Sequence, residues 1–231
     1  MMKQDVPRKV DIVTRVLDAN DRIALENRKR FAADSVVVID VMGSPGSGKT
    51  SLLEATIPRL PETSGTGVIV GDIATSRDAW RIALHGVPAI QIVTENFGGA
   101  CHLEAGVVAE AYGRLDASAI DLLFIENVGN LVCPAEFDLG QDARVLVISV
   151  TEGEDKPLKY PLAFHEANLV LVNKCDLVPY LDIDMNTLLE NICEVNPNVD
   201  KMVISAKSGQ GMDVWMDWIA ARRTARGKIA R

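Results

Sequence analysis

The chain has 231 residues, 48% of them hydrophobic, enough for one substantial core and for a single α/β-sized unit. Its formal net charge of −8 argues against nucleic acid as a partner, so any anionic ligand has to be small and met by a local pocket. Cys101, Cys133, Cys175 and Cys193 lie far apart, no basic-then-apolar leader precedes them, and no apolar run nears the roughly 20 residues of a bilayer span, which predicts a protein of the reducing cytoplasm with no membrane segment.

In residues 10–31 the apolar positions Val10, Val13, Val16, Leu17, Ile23 and Leu25 recur at mainly helical spacing, predicting an amphipathic helix or helix pair. We take residues 1–34 as an N-terminal helical segment and 35–231 as the main domain. Residues 35–42, SVVVIDVM, are too apolar for a strand with one wet face and predict a buried strand of a parallel sheet. Directly after it come Gly43, Ser44, Pro45, Gly46, Ser47, Gly48, Lys49 and Thr50, which fit G-x-x-x-x-G-K-[ST], with Ser51 leading into a helix over 51–60. Glycines there let successive backbone N–H groups turn toward phosphate oxygens, Lys49 can reach the terminal phosphates, and the Thr50 hydroxyl can meet Mg²⁺.

A second strand, 67–70, runs into Gly71 and Asp72, whose carboxylate suits a metal or an attacking water. A helix over 78–84 and a strand over 89–93 follow, and then Cys101 and His102 open a predicted helix over 102–115. The strand predicted for 121–128 carries Glu126, suited to organise Mg²⁺ through water, and Gly129 three residues on can bring its N–H to a γ-phosphate. Cys133 lies just beyond; thiolates and an imidazole suit Ni²⁺ or Zn²⁺, although isolated cysteines without C-x-x-C spacing are by themselves better explained as small apolar core residues.

Residues 144–150 predict another strand, 158–166 a helix and 169–172 a strand that delivers Asn173, Lys174, Cys175 and Asp176, an N-K-x-D pattern. An aspartate there can accept two hydrogen bonds from the N1–H and 2-amino group of guanine, donors that adenine lacks, so the wrong base leaves a carboxylate unpaired. After a helix over 186–195 and a strand over 202–205 come Ser205, Ala206 and Lys207, matching the S-A-K loop that completes a guanine pocket. The last helix, 212–223, leads into basic residues from Arg222 to Arg231, read as a solvated helix end. Alternation of strands and helices predicts a mostly parallel sheet covered on both faces, with ligands at the carboxyl ends of the strands. Arg77, Arg81 and Arg144 each qualify as an arginine finger, and no motif chooses among them.

The stretches G-S-P-G-S-G-K-T, G-D-I-A-T-S-R-D-A, G-G-A-C-H-L-E-A, I-E-N-V-G-N-L-V-C-P-A-E-F-D-L-G, V-T-E-G-E-D-K-P-L-K-Y-P and N-K-C-D-L together resemble the HypB family of hydrogenase nickel-incorporation GTPases over nearly the whole chain. That resemblance implies a P-loop GTPase using GTP and Mg²⁺, and a GTP- and metal-dependent homodimer with Ni²⁺ or Zn²⁺ on Cys101, His102 and Cys133 at its interface. It also implies a HypA-type nickel accessory partner and a nickel–iron hydrogenase large-subunit precursor as destination. Some relatives carry a histidine where Gly106 stands, so one ion rather than two is expected, and residues 1–34 hold none of the cysteines or histidines of nickel-storing N-terminal extensions. The rival within the class, a urease-type nickel GTPase, would carry Cys-Pro-His where this chain has Cys133-Pro134-Ala135. A different alternative is a GTP-dependent interaction switch whose zinc is purely structural.

Overall fold

The computed structural model describes residues 12–61, 65–72, 77–97 and 101–227. Val10, residues 73–76 and 98–100 of the quoted motifs, and the basic end beyond 227 lie outside the described residues. Within them the predicted strands become seven: β1 (Val37–Gly43), β2 (Thr66–Asp72), β3 (Ala89–Val93), β4 (Leu122–Glu126), β5 (Ala143–Ser149), β6 (Leu169–Asn173) and β7 (Asp200–Val203). All pair in parallel, in the order β3-β2-β4-β1-β5-β6-β7, giving an α/β fold. Every residue of β1, β4, β5 and β6 is buried, as expected where helices cover both sides of a parallel sheet.

One face packs against α2 (Lys49–Thr56), α3 (Arg77–Ala83) and α9 (Met212–Ala225) through Leu52, Leu53, Ile82 and Trp215. The other is covered by α1 (Ile12–Ala33) and α4 (Ala105–Tyr112), and further along by α5 (Cys133–Glu136), α7 (Pro161–His165) and α8 (Met185–Val195). Alternation along β1 sends Val37, Ile39 and Val41 to the first face and Val38 and Met42 to the second, so Asp40 points toward the second. Over its described length the N-terminal helical segment is one continuous helix, α1. No helix among the described residues is long and apolar enough to cross a membrane.

Three expectations change. The predicted helix 158–166 is two, α6 (Lys156–Lys159) and α7, because Pro161 forces Tyr160 out of helical geometry, to φ −128° and ψ 52°. Cys101 and His102 do not open a helix: α4 begins at Ala105, and its first N–H donates to Asn20 Oδ1 of α1 at 2.8 Å. The strand expected to run to 128 stops at Glu126: the Asn127 N–H still bonds to Val41 of β1, but its side chain turns to Asp40 of β1 and takes the N–H groups of Leu103 and Val128, carrying the chain out of the ladder.

Candidate functional site

The carboxyl ends of β1, β2, β4 and β6 meet along one cleft. Its first part, about 460 Å³, is lined by Pro45, Gly46, Lys49, Thr50, Asp72, Glu126 and Gly129 among others; a second part, about 570 Å³, by Asn173, Lys174, Asp176, Ala206 and Lys207. Gly48, Ser51 and Lys174 border both, so the two form one elongated cleft.

At the first end the loop after β1 wraps around Lys49, whose ammonium donates to the carbonyls of Gly43 at 3.0 Å and Ser44 at 3.2 Å. Burial pulls that ammonium below the usual lysine range, opposed first by the Glu126 carboxylate. Gly48 has φ +99°, and a Cβ there would lie 2.4 Å from the Asn173 amide nitrogen, so only glycine fits. Gly129 lies flat against Pro45, where a Cβ would come within 3.1 Å of the ring; the loop after β4 therefore rides directly on the loop after β1, and an isolated bridge joins Gly43 to Asn130.

Thr50 Oγ1 donates to Glu126 Oε1 at 2.6 Å, while Glu126 Oε2 is buried with no hydrogen-bond partner. Burial raises this carboxyl to about 7, with the Thr50 hydroxyl and Lys49 pulling it back. A hydroxyl, an orphaned carboxylate oxygen and the neighbouring Asp72 form a hard-oxygen set that fits Mg²⁺. The same wall contains Arg81, one of the three arginine-finger candidates, and Asp78, which sequence reasoning did not place. Arg81 Nε donates to Glu54 at 2.9 Å and Nη1 to Asp78 at 2.9 Å, and the i,i+3 spacing of the pair in R-D-A-W-R was a usable signal.

At the second end Asn173 ties three segments together: its amide nitrogen donates to Ser47 O at 3.0 Å, and its oxygen accepts from the N–H groups of Lys174 at 2.8 Å and Ala206 at 3.1 Å. Lys174 sits at φ +63° with its ammonium on Gly46 O at 2.5 Å, laying its alkyl stem between the two parts of the cleft. Asp176 is held by the Ser205 hydroxyl, which donates to Oδ1 at 2.6 Å and accepts from the Ser208 N–H. That leaves Oδ2 available for a ligand with paired donors.

The metal-type residues gather at one corner beside the loop after β4. Cys101 Sγ lies 2.8 Å from Cys133 Sγ and 4.0 Å from His102 Nδ1, and one donor atom from each residue fits within 4.8 Å of the others. His102 Nε2 is buried without a hydrogen-bond partner, and its ring stacks on Phe137 with centroids 3.9 Å apart and planes 29° from parallel. Burial pushes the imidazole below its ordinary range, against Glu104 and Glu136, which keeps it neutral and able to ligate. The bond to Cys101, and then burial, push the Cys133 thiol up. Two thiols and a neutral imidazole fit Ni²⁺ or Zn²⁺, either of which would displace the thiol protons.

Arg144 does not qualify as an arginine finger: it is 4% exposed and paired with Asp40, with Nε donating to Oδ2 at 3.0 Å. Burial pushes the Asp40 carboxyl up while Arg144 and the Asn127 amide pull it back.

A family model described as the CobW/HypB/UreG nucleotide-binding domain matches residues 36–203. The chain is 50% identical over 218 residues to the hydrogenase maturation factor HypB of Escherichia coli, covering 94% of this chain and 74% of that one. With the protein of the same name from Azotobacter vinelandii it shares 53% over 211 residues, covering 91% and 69%. Among solved structures it resembles HypB from Helicobacter pylori in complex with nickel, with a TM-score of 0.84, 34% identity, and coverage of 92% of this chain and 99% of that one.

Proposed function

The chain belongs to the HypB hydrogenase maturation factors of the CobW/HypB/UreG family, and from that premise we propose that it binds and hydrolyses GTP to govern delivery of nickel to a nickel–iron hydrogenase precursor. One observation carries the proposal: Cys101, His102 and Cys133 converge beside the loop that leaves Glu126, itself bonded to Thr50 in the phosphate end of the cleft.

In this scheme Gly43, Ser44, Pro45, Gly46, Ser47 and Gly48 cradle the phosphates, Lys49 balances their charge, and Ser51 borders the cleft. Asn173 and Lys174 flank the base, Asp176 reads its N1–H and 2-amino group, and Ser205, Ala206 and Lys207 close the pocket. Thr50, with Asp72 and Glu126, would hold Mg²⁺, which neutralises charge on the terminal phosphates. Gly129 senses the γ-phosphate through its N–H; when that contact is lost, the loop carrying Cys133 shifts relative to Cys101 and His102 and the grip on nickel changes. We place the protein in the cytoplasm as a homodimer that receives nickel from a HypA-type accessory protein and passes it to the large-subunit precursor.

The test is a nickel titration of protein loaded with a GTP analogue and then with GDP, followed by thiolate-to-nickel absorption in wild type and Cys133→Ala. The expected result is a nucleotide-dependent affinity that the substitution removes; equal affinity in both nucleotide states would sink the gating scheme.

A further inference from the structure

Asp40 is the one charged side chain in β1, the central strand, and it is fully buried. A carboxylate in that position has to be compensated on every side, and an apolar residue would pack there at no electrostatic cost. Its two oxygens go to different partners: Oδ1 accepts from Asn127 Nδ2 at 3.1 Å and Oδ2 from Arg144 Nε at 3.0 Å.

Each partner reaches on to one of the two segments that carry the metal-type residues. Asn127 uses its amide oxygen to accept from the N–H of Leu103 at 3.3 Å, next to His102, and from Val128 at 3.0 Å. Arg144 uses the rest of its fork on the segment containing Cys133: Nη1 donates to Ala135 O at 3.1 Å and Nη2 to Phe137 O at 2.6 Å. Phe137 in turn stacks on His102. Among the described residues these segments are also held by Asn130, whose Nδ2 donates to Cys101 O at 3.4 Å, by Arg28 of α1 on Asp138 and by the α1 asparagines Asn20 and Asn27; the buried carboxylate is the point from which both halves of the corner are braced through the sheet. Asn127 also follows Glu126 directly, one residue from the Thr50 bond in the phosphate end.

We propose that the Asp40–Arg144 pair, with Asn127, positions the metal corner, setting the separation of Cys101 and Cys133 and linking it to the end of β4. The pair acts through the ligand-bearing segments and touches neither nucleotide nor metal. The inference rests on the metal site proposed above, but its geometric content can be measured without metal.

Arg144→Lys keeps a cation opposite Asp40 and loses the fork, because a lysine point charge cannot reach both carbonyls. The readout is the rate at which a short bifunctional thiol reagent links Cys101 to Cys133 in the metal-free chain, with Cys101→Ser as background. We expect linking to slow several-fold and nickel affinity to fall roughly 10- to 100-fold, the usual range for loss of a group that orients metal ligands, with affinity for a GTP analogue unchanged. In case Arg144→Lys folds poorly, the double variant Asp40→Leu, Arg144→Met replaces the pair with apolar side chains of similar volume, a change that cores often accept. A folded variant of either kind that cross-links at the wild-type rate and takes nickel with wild-type affinity overturns the proposal. Wild type that cross-links but takes up no nickel would instead remove the metal site, and the cross-linking rates would still decide the positioning role.

Discussion

The two ends of the cleft are built on different principles. At the end proposed to read guanine, Asn173, Lys174, Asp176, Ser205 and Ala206 come from two neighbouring strand ends, and their hydrogen bonds run mainly to one another and to the backbone of the loop after β1. At the metal corner three ligand-type side chains come from the segment before α4 and the first residue of α5, and much of what holds those segments lies elsewhere: Asp40 in β1, Asn127 after β4, Arg144 in β5, and Asn20 and Asn27 in α1. The first end is locally built in space, its own residues bonding to one another and to the loop after β1 even across 126 residues of chain from Asn173 to Ser47; the second depends on groups outside the ligand set, such as Asn20, 118 residues from Asp138. A local site resists remote change, whereas a remotely braced one can be moved, which suits the nucleotide-gated grip on nickel proposed above.

The largest effect that would break this contrast lies at Asp176. Asp176→Asn keeps the bond from Ser205 but replaces an acceptor of two guanine donors with an amide that presents one donor and one acceptor. Preference for GTP over other nucleotides should fall by about 10⁴-fold, the scale on which a site built for a hydrogen bond rejects a ligand that cannot make it, and xanthosine triphosphate should gain. Competition against a fluorescent nucleotide measures this; nickel binding in the nucleotide-free protein should not change. Gly48→Ala comes next, since it forces a left-handed backbone on a residue with a Cβ and drives that Cβ into Asn173. Strain of about 1–2 kcal/mol translates into about a tenfold loss of nucleotide affinity or more.

The same contrast explains what could be read from the chain. The residues of β1 announced a buried strand because SVVVIDVM has no wet face, and G-S-P-G-S-G-K-T and N-K-C-D are contiguous, so their chemistry travels with their spacing. Asp40 was visible only as a charge interrupting that run, because nothing nearby reveals Arg144 as its partner. Helix α5 was missed for a similar reason: four residues around Pro134 show no helical periodicity, and the turn is fastened by Arg144 from β5. The start of α4 was misplaced because the side chain that accepts from its first N–H, Asn20, belongs to α1, while Glu104 at the N-cap makes no such bond.

At the metal corner a smaller change should be felt selectively. Phe137→Leu keeps an apolar side chain over His102 but removes the ring stack. Such a contact contributes about 0.5–1.5 kcal/mol, so nickel affinity should drop roughly two- to tenfold while nucleotide affinity stays put. If both fell together, the two ends would be more tightly joined than their separate scaffolds imply.

The smallest predicted effect concerns stability alone. Asn20→Ala removes the acceptor for the Ala105 N–H and the donor to Asp138 O, leaving a helix start without its cap. Replacing a cap residue costs about 1 kcal/mol, and this one is supplied from another helix, so the cost includes a buried N–H left without a partner. The denaturation midpoint should shift accordingly with an unchanged slope. Amide exchange should quicken at the start of α4, beside Cys101 and His102, and stay as slow as in wild type around Asn173. Equal quickening at both places would mean that α1 braces the whole carboxyl edge of the sheet, and the division between a locally built and a remotely braced end would fail.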